Sequence, residues 1–149
     1  MITPGFVAGR VGRGLLAGFI GTVAMTVSST IEMRLRSRPG STTPAKAAEK
    51  VLGVEPTSKA AERRFSNVVH FGYGTAWGAV RGVLDVVGLR GPAASVVHFG
   101  VMWPAALVML PALRVAKPPT EWGGTELAID GFHHTVYAFA TGAAYDALR

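Results

Sequence analysis

The chain contains no cysteine, which excludes disulfides, iron–sulfur ligation and thiolate chemistry while leaving the compartment open. It is also poor in charge: Asp, Glu, Lys and Arg make up 16% of its 149 residues, against about 25% in soluble domains. Acidic groups are the scarcer kind, nine against fifteen Lys and Arg, so the net charge is +6. This surplus is not arranged for nucleic acid. The positive residues collect between apolar segments without interleaved aromatics, a pattern that fits anionic lipid. No Gly-x-Gly follows a strand pattern, so Gly12/Gly14 and Gly72/Gly74 make no nucleotide loop. No serine has the local setting of an activated nucleophile, and no enzymatic activity is read from the sequence.

What is abundant is apolar sequence, at 49% of residues and a mean hydropathy of +0.33. Gly14 to Ile31 is free of charge between Arg13 and Glu32, and Gly91 to Leu113 has His98 as its one ionisable group. About eighteen apolar residues suffice to cross a bilayer core as a helix. Two further segments, Phe65 to Leu84 and Leu127 to Leu148, carry polar groups as the inner helices of a bundle do. The expected fold is therefore all-α: a single integral membrane domain over 1–149, built as a four-helix bundle. Its spans are expected at about 14–35, 65–85, 92–114 and 124–147, with a polar connector at 36–64. The first apolar run exceeds a typical signal-peptide core and no small-x-small cleavage site follows it, so a retained helix is expected.

Within the connector, Thr43-Pro44 is a helix start and Gly53 a stop, which predicts a short amphipathic helix lying on the membrane surface. Ten of the fifteen basic residues fall in the connectors, at 34–64 and 114–117, so connectors 36–64 and 115–123 are expected in the cytoplasm. Pro104 and Pro111 are expected to kink the third span. Gly74, Gly78 and Gly82 follow His70 at a spacing of four, and Gly14, Gly18 and Gly21 line the first span. Both are small-residue faces that admit a close helix neighbour. Arg81 and Asp85, four apart, are expected to pair.

All four histidines lie in apolar segments: the twin phrases Val68-Val69-His70-Phe71-Gly72 and Val96-Val97-His98-Phe99-Gly100, and Asp130-Gly131-Phe132-His133-His134. Ionisable groups so placed are costly, and their default reading is functional. At a rise of about 1.5 Å per residue, antiparallel spans put Glu32, His70, Asp130, His133 and His134 in the connector half of the bundle. His98 falls in the other half. Asp130 and His133 are expected on one helical face, as in carboxylate-bridged metal bundles. Two readings of the five residues follow: a divalent metal site for Zn, Fe, Mn or Cu, or a proton relay. Glu126, Ser28 and His98 are outer or separate polar groups. A b-type haem between His70 and His134 is a further reading. Without any ligand, the same groups serve as interhelical hydrogen bonds in an accessory or scaffold subunit that docks through its glycine faces.

The phrases His70-Phe71-Gly72-Tyr73-Gly74-Thr75-Ala76-Trp77-Gly78, Pro118-Pro119-Thr120-Glu121-Trp122-Gly123 and His133-His134-Thr135-Val136-Tyr137-Ala138 carry a resemblance. Over nearly its whole length the chain resembles small, uncharacterised four-helix integral membrane proteins of high-GC Gram-positive bacteria. That resemblance implies a multi-pass protein of the bacterial inner (plasma) membrane; separately, four short spans are few for a transporter protomer, so a homo-oligomer or a subunit of a larger membrane complex is expected. The resemblance brings no catalytic or binding residues with it.

Overall fold

The computed structural model describes residues 3–40 and 42–149, and every regular element among them is helical. In chain order these are α1 (Pro4–Leu35), α2 (Thr43–Leu52), α3 (Lys59–Val86), α4 (Gly91–Ala112), a 3-10 turn (Pro119–Glu121) and α5 (Gly124–Ala147). Caps set several boundaries. The Thr3 hydroxyl accepts the Phe6 N–H at 3.2 Å, and Pro4 fills the first turn, where its missing N–H costs nothing. Ser58 does the same for α3 through the N–H of Ala61. Gly53, at φ 65°, closes α2 in the left-handed region that glycine enters freely. α1 and α3 thus begin about ten and six residues before the expected spans, since caps decide where a helix starts and charge decides where apolar sequence starts. Pro104 and Pro111 both lie inside α4, which runs on to Ala112.

α1 packs on α3 and α5, while α4 packs on α5 and more lightly on α3. The α1/α3 seam is antiparallel: Gly14 meets Gly78 and Gly82, Gly18 meets Gly78 and Thr75, and Thr22 meets Gly74. A Cβ added to Gly78 would stand 2.7 Å from the Gly18 Cα and press into the Gly14 carbonyl oxygen. The backbones touch, so no side chain fits. Gly21 faces α5 instead, against Thr141 and Tyr137. All six glycines of the two small-residue faces lie at seams inside the chain.

Two helices, Pro4–Leu35 and Gly91–Ala112, are long and apolar enough to cross a membrane. Polarity is distributed unusually around all four long helices. The buried residues include Thr22, Arg81, Asp85, Ser95, His98, His133 and Thr141 beside alanines, two tyrosines and Met102. The large aliphatic and aromatic groups face outward: Leu16, Ile20 and Val27 on α1, Val68 and Val83 on α3, Val101 and Val108 on α4, and Phe132 and Phe139 on α5. In water, such an exterior would be a broad apolar patch on every side.

Candidate functional site

The polar interior falls into two layers, one at the connector end and one at the end where Gly88 turns α3 into α4. At the connector end, Glu32 closes α1 and is clasped by the guanidinium that follows it. Arg38 Nε lies 2.9 Å from both carboxylate oxygens, and Arg36 Nη1 is 3.2 Å from Oε1. Arg36 also reaches Glu126 on α5, at 3.2 Å. The Glu32 carboxylate raises the Arg38 guanidinium above its ordinary value, mainly through their hydrogen bonds.

His133 sits just inside this ion cluster and is nearly fully buried. Its Nδ1 is 2.8 Å from the Ser28 hydroxyl, and its Nε2 is 3.8 Å from Glu32 Oε2. A lone pair on Nε2 would face the carboxylate, so the proton belongs on Nε2 and Ser28 donates to Nδ1. Hydroxyl, imidazole and carboxylate therefore stand in a row, bonded from Ser28 to His133 and separated by 3.8 Å, beyond direct hydrogen-bond reach, from Nε2 to Glu32; His133 Nε2 has no hydrogen-bond partner among the described residues. The other imidazoles are fixed by similar logic. Thr26 donates to the Thr22 carbonyl at 2.7 Å, so it accepts from His70 Nε2 at 3.0 Å, and Nδ1 of His70 keeps its lone pair. His134 Nδ1 lies 2.8 Å from the Asp130 carbonyl, which can only accept, so Nε2 of His134 keeps its lone pair.

Asp130 does not join His133. Its carboxylate takes the Trp103 indole N–H at 2.8 Å and stands 3.5 Å from His134 Nδ1. A four-residue step along α5 brings the groups nearer than the three-residue step does. Glu32, His70, Asp130, His133 and His134 thus share one end of the bundle but are held by separate partners: Glu32 by arginines, His70 by Thr26, His133 by Ser28, and Asp130 with His134 and Trp103. Among the described residues no three His, Asp or Glu side chains are placed to hold a metal ion.

The turn-end layer contains His98, whose Nε2 donates to the Trp77 carbonyl at 3.1 Å and whose ring lies edge-on to Tyr137. Here the expected Arg81–Asp85 pair is corrected. Arg81 bonds Asp146 at 2.8 Å, and its guanidinium lies over the Tyr145 ring. Asp85 accepts from Arg10, from Arg90 at 2.8 Å and from the Tyr145 hydroxyl at 2.8 Å. Partners from other helices displace the local one because both groups turn inward. Tyr137 is more than a packing residue, since its hydroxyl donates to the Gly74 carbonyl. The signal was present: His133, Tyr137, Thr141 and Tyr145 recur at a spacing of four and are all buried.

No protein-family model matches the chain, and no curated protein or solved structure matches it either.

Proposed function

We propose that the chain is a multi-pass membrane protein whose four long helices all span the bilayer, and that its connector-end layer relays protons. The membrane reading is supported by the outward apolar groups on all four helices around a polar interior, the inverse of a water-soluble core. One observation supports the relay: His133 is bonded to Ser28 on one nitrogen and turns its other, unpartnered among the described residues, toward Glu32 at the ionic surface, 3.8 Å away. An imidazole so placed accepts a proton on one nitrogen and releases one from the other, with the hydroxyl and the carboxylate as its neighbours. The basic connector 34–64 lies against anionic lipid on the cytoplasmic side of a bacterial inner membrane. Four spans enclose little volume, so the protein works as a homo-oligomer or within a larger membrane complex.

A second reading is favoured by His70 and His134. Each has one nitrogen tied to a hydroxyl or carbonyl and the other without a hydrogen-bond partner among the described residues, which is how metal-binding imidazoles are held. With Asp130 they form a donor set for Zn, Fe, Mn or Cu once their side chains turn toward one another, while Glu32 stays with its arginines. A scaffold subunit remains a third reading. It would have to dock through a face other than the glycine faces, which are occupied within the chain.

The test is proton flux into liposomes containing the purified protein, driven by a potassium potential with valinomycin and read by an enclosed pH dye. Flux above protein-free liposomes, reduced at least tenfold in His133→Ala, is the expected result. Absence of flux from the unaltered protein rejects the relay. Metal analysis of the same tag-free sample decides the second reading: stoichiometric metal lost in His134→Ala supports it, and a Soret band would assign the imidazoles to haem b instead.

A further inference from the structure

We infer that the turn-end interior binds ordered water, held between α3 and α4 by Arg81 and His98. Arg81 is fully buried, and a guanidinium has five N–H groups to satisfy. One bond goes to Asp146, and the π face of Tyr145 lies 4.3 Å below the guanidinium carbon. Its Nε and Nη1 have no hydrogen-bond partner among the described residues. His98 is as deeply buried, and because its Nε2 donates to Trp77, its Nδ1 presents a lone pair that also lacks a partner among them. His98 bonds the Trp77 carbonyl, which also receives the Arg81 backbone N–H within α3, so the orphaned atoms of α3 and α4 lie at one level of the molecule.

The chemistry of these atoms selects the ligand. Arg81 offers donors and His98 offers an acceptor, so the occupant must both accept and donate. A metal cation is repelled by the guanidinium, and a halide has no proton to give His98 Nδ1. Asp146 already balances the Arg81 charge, so no further anion is required. Water meets every condition, and an internal water with three or so polar partners is an ordinary part of a folded protein. The inference stands apart from the relay reading, since it concerns the opposite half of the bundle.

Crystals grown from a lipid mesophase and diffracting to about 2 Å test it directly. Water density within hydrogen-bond distance, about 3.2 Å, of Arg81 Nε or Nη1 and of His98 Nδ1 is the expected result. Direct closure of these atoms on protein groups, or an empty apolar gap, overturns it. So does an anomalous bromide peak at Arg81 after a halide soak, which would make the occupant an anion. Solid-state NMR in bilayers gives a second readout. Polarisation should pass rapidly from water to the Arg81 Nε–H and be lost in Arg81→Met, and an Arg81 Nε–H as isolated from water as the packed backbone at the α1/α3 seam overturns the site.

Discussion

Asp85 shows how much a single side chain carries here. It is buried, and three groups from three segments converge on it: Arg10 of α1, Arg90 of the turn and Tyr145 of α5. Asp85→Ala removes three charge-assisted hydrogen bonds at once, each worth about 1.5–3 kcal/mol, and should cost about 3 kcal/mol or more even with Arg90 half exposed. Tyr145→Phe removes one charge-assisted hydrogen bond and should cost about 2 kcal/mol. Unfolding of the purified variants in graded detergent denaturation checks the order, which fails if Tyr145→Phe proves the more damaging. None of this was legible in the sequence. Arg81 and Asp85 sit at a spacing that pairs on an isolated helix, and only the approach of α1 and α5 offers each a better partner. The same holds for Asp130, whose acceptance of the Trp103 indole depends on how α4 and α5 rotate toward each other.

At the scale of the helices, seams form where side chains are missing. Gly78 against Gly14 and Gly18 leaves no room for a methyl, so Gly78→Ala must push α1 and α3 apart and should cost about 1–3 kcal/mol. Gly72, six residues earlier on the same helix, has open space at its Cβ position, so Gly72→Ala should be neutral or gain up to about 1 kcal/mol from helix propensity. Thermal melting of the two variants beside the parent protein measures the difference. A Gly78→Ala protein as stable as Gly72→Ala would mean the seam is looser than described. The helices and these small-residue faces were legible because spacing alone places residues on a face. Rotation was less so: α1 and α4 are apolar around most of their circumference, and such helices offer no stripe from which their inner side can be read.

For the molecule as a whole, the inverted polarity makes a claim about its surroundings that the missing cysteines make convenient to test. Single cysteines at Val23, Val68, Val101 and Phe139, one on each long helix and all exposed in the structure, should resist a membrane-impermeant maleimide in intact membranes. They should react after detergent extraction, whereas Lys50→Cys in the basic connector should mark its side of the membrane by reacting in sealed vesicles of one orientation only. Labelling of Val68→Cys or Phe139→Cys in intact membranes would remove α3 or α5 from the spans. These two helices are the informative ones, since α1 and α4 already qualify by length and composition.

The position of α1, between α3 and α5, also has a consequence in time. Ser28 waits for a partner 105 residues further on, at His133, and Gly21 for one at Thr141. At about 5–20 residues per second, several seconds of synthesis separate the two sides of that seam. During that interval α1 can settle against α3, but the face carrying Ser28 and Glu32 has nothing from α5 to meet. The bundle therefore closes on its longest-range seam, and the growing chain passes through a half-built stage whose open side carries Ser28 without its imidazole partner.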